Sequence, residues 1–62
     1  MTFEEAKVLA KQGIKMTHEN FASNESMTMK GNKIIFEDGV SIFENEWFKG
    51  KEYLTDGWSI FK

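Results

Sequence analysis

The chain has 62 residues, with ten acidic and eight basic side chains for a net charge of −2, and neither cysteine nor proline. This length allows one domain with a marginal core. Composition excludes disulfides and cysteine-held metals, leaves one histidine where a structural zinc site needs several ligands, and offers no basic excess for long DNA or RNA.

The first element is a helix over roughly residues 3–12. Thr2-Phe3-Glu4-Glu5 reads as a capping box, with the Thr2 hydroxyl accepting from the Glu5 N–H and the Glu5 side chain reaching back. Phe3, Ala6, Leu9, Ala10 and Gly13 form one apolar stripe, while Glu4, Lys7 and Lys11 are expected to face water. Gly13 suits the position just past the helix end. Ile14-Lys15-Met16-Thr17 alternates with period two and predicts a short strand. Residues 18–25 read as a polar loop carrying one large ring, Phe21.

Strands are predicted over 26–30 and 33–36, joined at Gly31-Asn32, and over 40–43 after a turn at Glu37-Asp38-Gly39. Residues 44–55 suit one helical turn plus a loop, because Gly50 opposes a continuous helix. Trp58-Ser59-Ile60-Phe61 predicts a closing strand after Asp56-Gly57. The expected fold is a single α+β domain over 1–62, with the N-terminal helix packed on one face of a four- to five-stranded antiparallel meander.

No apolar run approaches the ~18 residues of a membrane span. The acidic start lacks the basic, then apolar, pattern of a secretory leader. Absence of cysteine fits the cytosol.

Nine rings in so short a chain (six Phe, two Trp, one Tyr) pose a burial problem. A domain of this size cannot easily enclose them all, so some are expected at a subunit seam, a partner or a flat ligand, and a homo-oligomer is expected. By period, Phe3, Phe36, Phe43, Ile60 and either Ile34 or Ile35 belong to the core, and Met16, Met27 and Met29 read as core filling. Phe21 reads equally as a loop anchor or a stacking platform, and Trp58 as a core ring or a platform; rings at loop–strand junctions stack bases at ~1–3 kcal/mol each. The Trp47-Phe48 pair, flanked by charges, reads as an exposed interface anchor.

Catalytic chemistry finds little support. A nucleophile needs a base within reach and a group to orient that base. His18, Glu19 and Ser23 lie in one predicted loop, where no scaffold sets their geometry, so His18 reads as a surface or ligand-contacting residue. No metal-ligand spacing and no phosphate-cradling glycine loop is present. No catalytic residue, metal or cofactor is expected.

Both ends of the chain resemble one family. Phe3-Glu4-Glu5-Ala6 with Leu9, Lys11, Gln12-Gly13 and Lys15-Met16-Thr17, and the closing Leu54-Thr55-Asp56-Gly57-Trp58-Ser59-Ile60, resemble the opening and closing segments of the type-two Thoeris anti-defence proteins of phages. The resemblance implies a sponge in the host bacterial cytoplasm that binds a cyclic nucleotide immune signal, a cyclic ADP-ribose isomer or a cyclic dinucleotide, without cleaving it. It also implies a homo-oligomer, dimer or tetramer, with pockets at subunit interfaces; from charge and hydropathy, neither a membrane nor long nucleic acid is expected as a partner. By position, Phe21 and Trp58 correspond to the family's stacking rings, and the implied ligand-binding set is Phe21, Trp58, His18, Asn20, Asp56 and Thr28. Two departures stand out. His18-Glu19-Asn20 replaces the family's basic residue after the first strand, and Gly57 separates Asp56 from Trp58. The alternative expectation is a small phage protein that inhibits a host protein through an aromatic patch.

Overall fold

In the computed structural model, which describes all 62 residues, helix α1 spans Phe3–Lys11 and is closed at both ends by its own sequence. Thr2 is the N-cap. Its hydroxyl accepts from the Glu5 N–H at 3.2 Å, and the Glu5 carboxylate accepts from the Thr2 N–H at 2.9 Å. Together they satisfy two of the donors a helix start leaves open. At the other end Gly13 takes φ +90°. The Gly13 N–H then reaches the Ala10 carbonyl at 3.0 Å and the Ile14 N–H the Leu9 carbonyl at 3.2 Å, the paired bonds of a Schellman closure. Phe3, Ala6 and Ala10 are buried. Lys7, expected in water, is half buried, because its ammonium lies 2.9 Å from the Glu44 carboxylate. That bond raises the Lys7 pKa above the ordinary lysine value.

Five strands follow: β1 (Met16–His18), β2 (Met27–Lys30), β3 (Lys33–Phe36), β4 (Ser41–Phe43) and β5 (Trp58–Ile60). They form one antiparallel sheet in the order β4-β3-β2-β1-β5. The architecture is therefore α+β, with the N-terminal helix on a five-stranded antiparallel sheet. The meander holds from β1 to β4 only. After β4 the chain crosses back over the helix-covered face through α2 (Glu44–Phe48) and a 3₁₀ helix (Glu52–Thr55) to place β5 beside β1. Gly50, at φ +76°, separates those two helical pieces. The backbone of Met1 clips onto the outer edge of β5, exchanging bonds of 2.9 and 3.0 Å with Trp58.

Register sets which side chains enter the core. Met16 pairs with Met27, Met29 with Ile34 and Ile34 with Ile42. Directly paired residues share a face, so these line the covered side, joined by Phe3, Leu54 and Trp58. Full burial of each such side chain contributes about 1.5–3 kcal/mol. The three methionines are core, as their spacing predicts. Ile34, not Ile35, points inward.

Two residues expected in the core are not there. Phe43 is 48% exposed because Ile42 takes the inward position and strand alternation turns the next residue outward. Its ring lies under Lys33, 5.1 Å from the ammonium, on the open side of the sheet. Ile60 is 46% exposed because β5 is an edge strand. Trp47 and Phe48, expected as an exposed pair, are half buried against the core, with Phe48 and Phe3 ring centres 4.3 Å apart. No helix is long and apolar enough to cross a membrane.

Candidate ligand-binding cleft

A cleft of about 390 Å³ opens where three chain segments meet. The loop after β1 supplies Asn20, Phe21 and Glu25. The end of β3 and the following turn supply Phe36, Glu37, Asp38 and Val40. The crossing segment supplies Trp47, Lys51, Tyr53 and Leu54. Its walls are rings. Phe21 and Trp47 meet edge to face with centres 6.3 Å apart, and Phe36 approaches Trp47 at 5.8 Å. Tyr53 is 64% exposed at the rim. Lys51 is the only cation, and its ammonium donates to the Trp47 carbonyl at 3.0 Å while lying 5.6 Å from the indole centre. Glu25, Glu37 and Asp38 supply three carboxylates.

Behind this wall lies Trp58. It is only 2% exposed, and its indole N–H donates to the Leu54 carbonyl at 2.6 Å. Phe3, Phe21, His18 and Trp47 surround it at centre distances of 5.4, 5.5, 5.1 and 6.2 Å. A ring this enclosed has no free face on which a base can stack. The expectation of Trp58 as a platform is corrected: it is the hub on which the cleft-wall rings rest.

His18 is likewise corrected. It ends β1 rather than starting a loop, and alternation from Met16 turns its ring inward to 3% exposure. The Asn20 N–H donates to Nδ1 at 3.0 Å, which leaves Nε2 as the protonated nitrogen facing the Asp56 carbonyl at 2.5 Å. Both nitrogens are thus engaged by backbone, and the ring ties the β1 end to the entry of β5. Gly57 is what lets it do so. At φ +93° this residue occupies the left-handed region, and a Cβ there would stand 2.9 Å from Glu19 Cδ and 3.0 Å from His18 Nε2. The glycine separating Asp56 from Trp58 is a local necessity of this packing.

The remaining members of the implied set divide. Phe21 and Asn20 line the cleft. Asp56 does not: its carboxylate is 76% exposed, accepts from the Gly57 N–H at 2.8 Å and lies 3.7 Å from the N-terminal ammonium. Thr28 pairs with Ile35 on the open side of the sheet, away from the cleft. Sequence reasoning missed Trp47, Tyr53, Lys51 and the three carboxylates as cleft residues. They come from separate segments, and Glu37-Asp38 carries only a turn signal.

Compared with protein-family models, curated proteins and solved structures, the chain finds no match.

Proposed function

We propose that this protein binds a cyclic nucleotide immune signal, a cyclic ADP-ribose isomer or a cyclic dinucleotide, and sequesters it without cleavage in the cytoplasm of a phage-infected bacterium. The observation that carries this reading is the ring-walled cleft: a site of about 390 Å³ with Phe21, Trp47 and Tyr53 disposed around one opening. Flat heteroaromatic ligands gain most from such walls. The resemblance of the chain ends to the phage anti-defence family supports the same ligand class. His18 has both ring nitrogens engaged by backbone, so it is not free to act as a general base. The mechanism is mass action. A binder in excess lowers the free signal below the threshold of its effector, and stoichiometry replaces turnover.

The acting species in this reading is a homo-oligomer. Val40 at the cleft, Phe43 on β4 and Ile60 on β5 are exposed apolar side chains at separate places on the surface, and burial of any of them against a second copy would favour association. Light scattering across a dilution series measures it.

The test of binding is calorimetry against a panel of cyclic dinucleotides and cyclic ADP-ribose isomers, with Tyr53→Ala and Phe21→Ala in parallel. One member of the panel is expected to bind, to be recovered intact after heat release, and to bind more weakly to both variants. A folded protein that takes up none of them would falsify the reading. The alternative, inhibition of a host protein through an aromatic patch, draws on Phe43 at the β4 edge. A specific partner lost on Phe43→Ala and kept on Phe21→Ala would favour it.

A further inference from the structure

The charge of the cleft is opposite to what a phosphate site needs. Glu25, Glu37 and Asp38 line the same space as the rings, against the single lysine, Lys51. Its ammonium already spends a donor on the Trp47 carbonyl and lies over the indole. Carboxylates only accept hydrogen bonds. They match ribose hydroxyls, as in dinucleotide sites where an acidic residue holds the ribose, and the exocyclic amines of adenine, guanine and cytosine.

Two of the three are also placed by backbone. Glu25 Oε1 accepts from the Ala22 N–H at 2.6 Å and Asp38 Oδ1 from the Val40 N–H at 3.1 Å. Each of these carboxylates keeps its second oxygen for another donor.

We infer that the cleft receives the base and ribose of its ligand and excludes the phosphates. This rests on the reading of the ring-walled cleft as the ligand site. The base stacks against the wall that Phe21, Trp47 and Tyr53 form, the carboxylates accept from its amine edge and from the sugar, and the phosphates stay in solvent. A second consequence separates this arrangement from an ordinary phosphate site. Where cations hold phosphates, salt weakens binding. Here phosphate and cleft repel, so salt screens a repulsion and brings the affinity of a phosphorylated ligand closer to that of its nucleoside.

Calorimetry with adenosine and guanosine, their 5′-monophosphates, and the two cyclic dinucleotides of the same bases tests it. For at least one base, the nucleoside is expected to bind on the order of tenfold more tightly than its monophosphate at low salt. The gap is expected to narrow as salt rises from about 20 mM to about 300 mM. Glu37→Gln with Asp38→Asn is expected to shrink the gap at low salt, with folding checked by circular dichroism. The salt series on the unmodified protein needs no variant, so a folding defect cannot hide the answer.

A monophosphate that binds at least as well as its nucleoside, with affinity falling as salt rises, overturns the inference. Cyclic dinucleotides that bind while both nucleosides fail, again weakened by salt, overturn it and leave the proposed sequestration standing. No binding by any of the six overturns the inference, and the proposed sequestration falls with it only when the cyclic ADP-ribose isomers also fail to bind.

Discussion

Replacing Trp58 with alanine separates its two readings, because they predict opposite outcomes. The side chain is 2% exposed and contacts Phe3, His18, Phe21 and Trp47. Truncating a buried tryptophan costs about 3–5 kcal/mol, and the Leu54 carbonyl also loses its donor. A domain of this length has about 3–9 kcal/mol in all at typical per-residue stabilities. Trp58→Ala is therefore expected to be largely unfolded, or close to it, at 25 °C. Trp58→Phe keeps a ring and removes the donor, for about 1–2 kcal/mol. At this size that lowers Tm by roughly 5–15 °C. Urea and thermal unfolding followed by circular dichroism measure both. A Trp58→Ala protein with an unchanged unfolding midpoint and a selective loss of ligand affinity would refute the assignment of Trp58 to the core and restore it as a platform.

Two further perturbations test the frame around that ring. Gly57→Ala forces a Cβ into the left-handed region at φ +93° and against the buried His18 ring; it is expected to cost about 1–3 kcal/mol in urea unfolding. Adding Glu19→Ala is expected to recover only part of this, since the flexible Glu19 carboxylate can move aside while the His18 ring cannot. The Glu5 carboxylate is held below its ordinary value of 4.5, first by the Thr2 N–H and then by the Thr2 hydroxyl. A lowered carboxylate pKa stabilises the fold above the unfolded value, and that contribution is lost as pH falls through the folded value. The stability difference between the native protein and Glu5→Gln is thus expected to shrink from about pH 6 to about pH 3; a difference that stays constant over this range would remove the capping box as its source.

The helix was legible because its signals are local. Thr2, Glu5 and Gly13 each act within a few residues, and their hydrogen bonds form as the spacing predicts. The strand count and the break at Gly50 are likewise written in turn glycines and alternation. What local pattern cannot convey is which side of the sheet receives the last strand. That follows from the crossing of residues 44–57 over the covered face, a packing outcome of Phe3, Phe48 and Leu54 together. Parity errors have a similar origin. Ile42-Phe43 is apolar at both positions, and only the pairing of Ile42 with Ile34 decides which enters. For His18 a signal existed: extending the alternation of Met16-Thr17 by one residue turns it inward, where its polarity suggested a loop.

The burial problem posed by nine rings resolves by layering them. Trp58 is enclosed; Phe21 and Trp47 pack against it and line the cleft; Tyr53 stands at the rim with most of its surface in water. Stability and recognition are therefore graded along one line of side chains. Loss of Trp58 acts on the fold and only through it on the cleft. Loss of Tyr53 removes little buried surface, so an effect on binding there belongs to the ligand. Phe21 lies between, and its truncation is expected to alter both. That gradient is why Tyr53→Ala, rather than a change at either tryptophan, is the substitution in which lost binding cannot be mistaken for a lost fold.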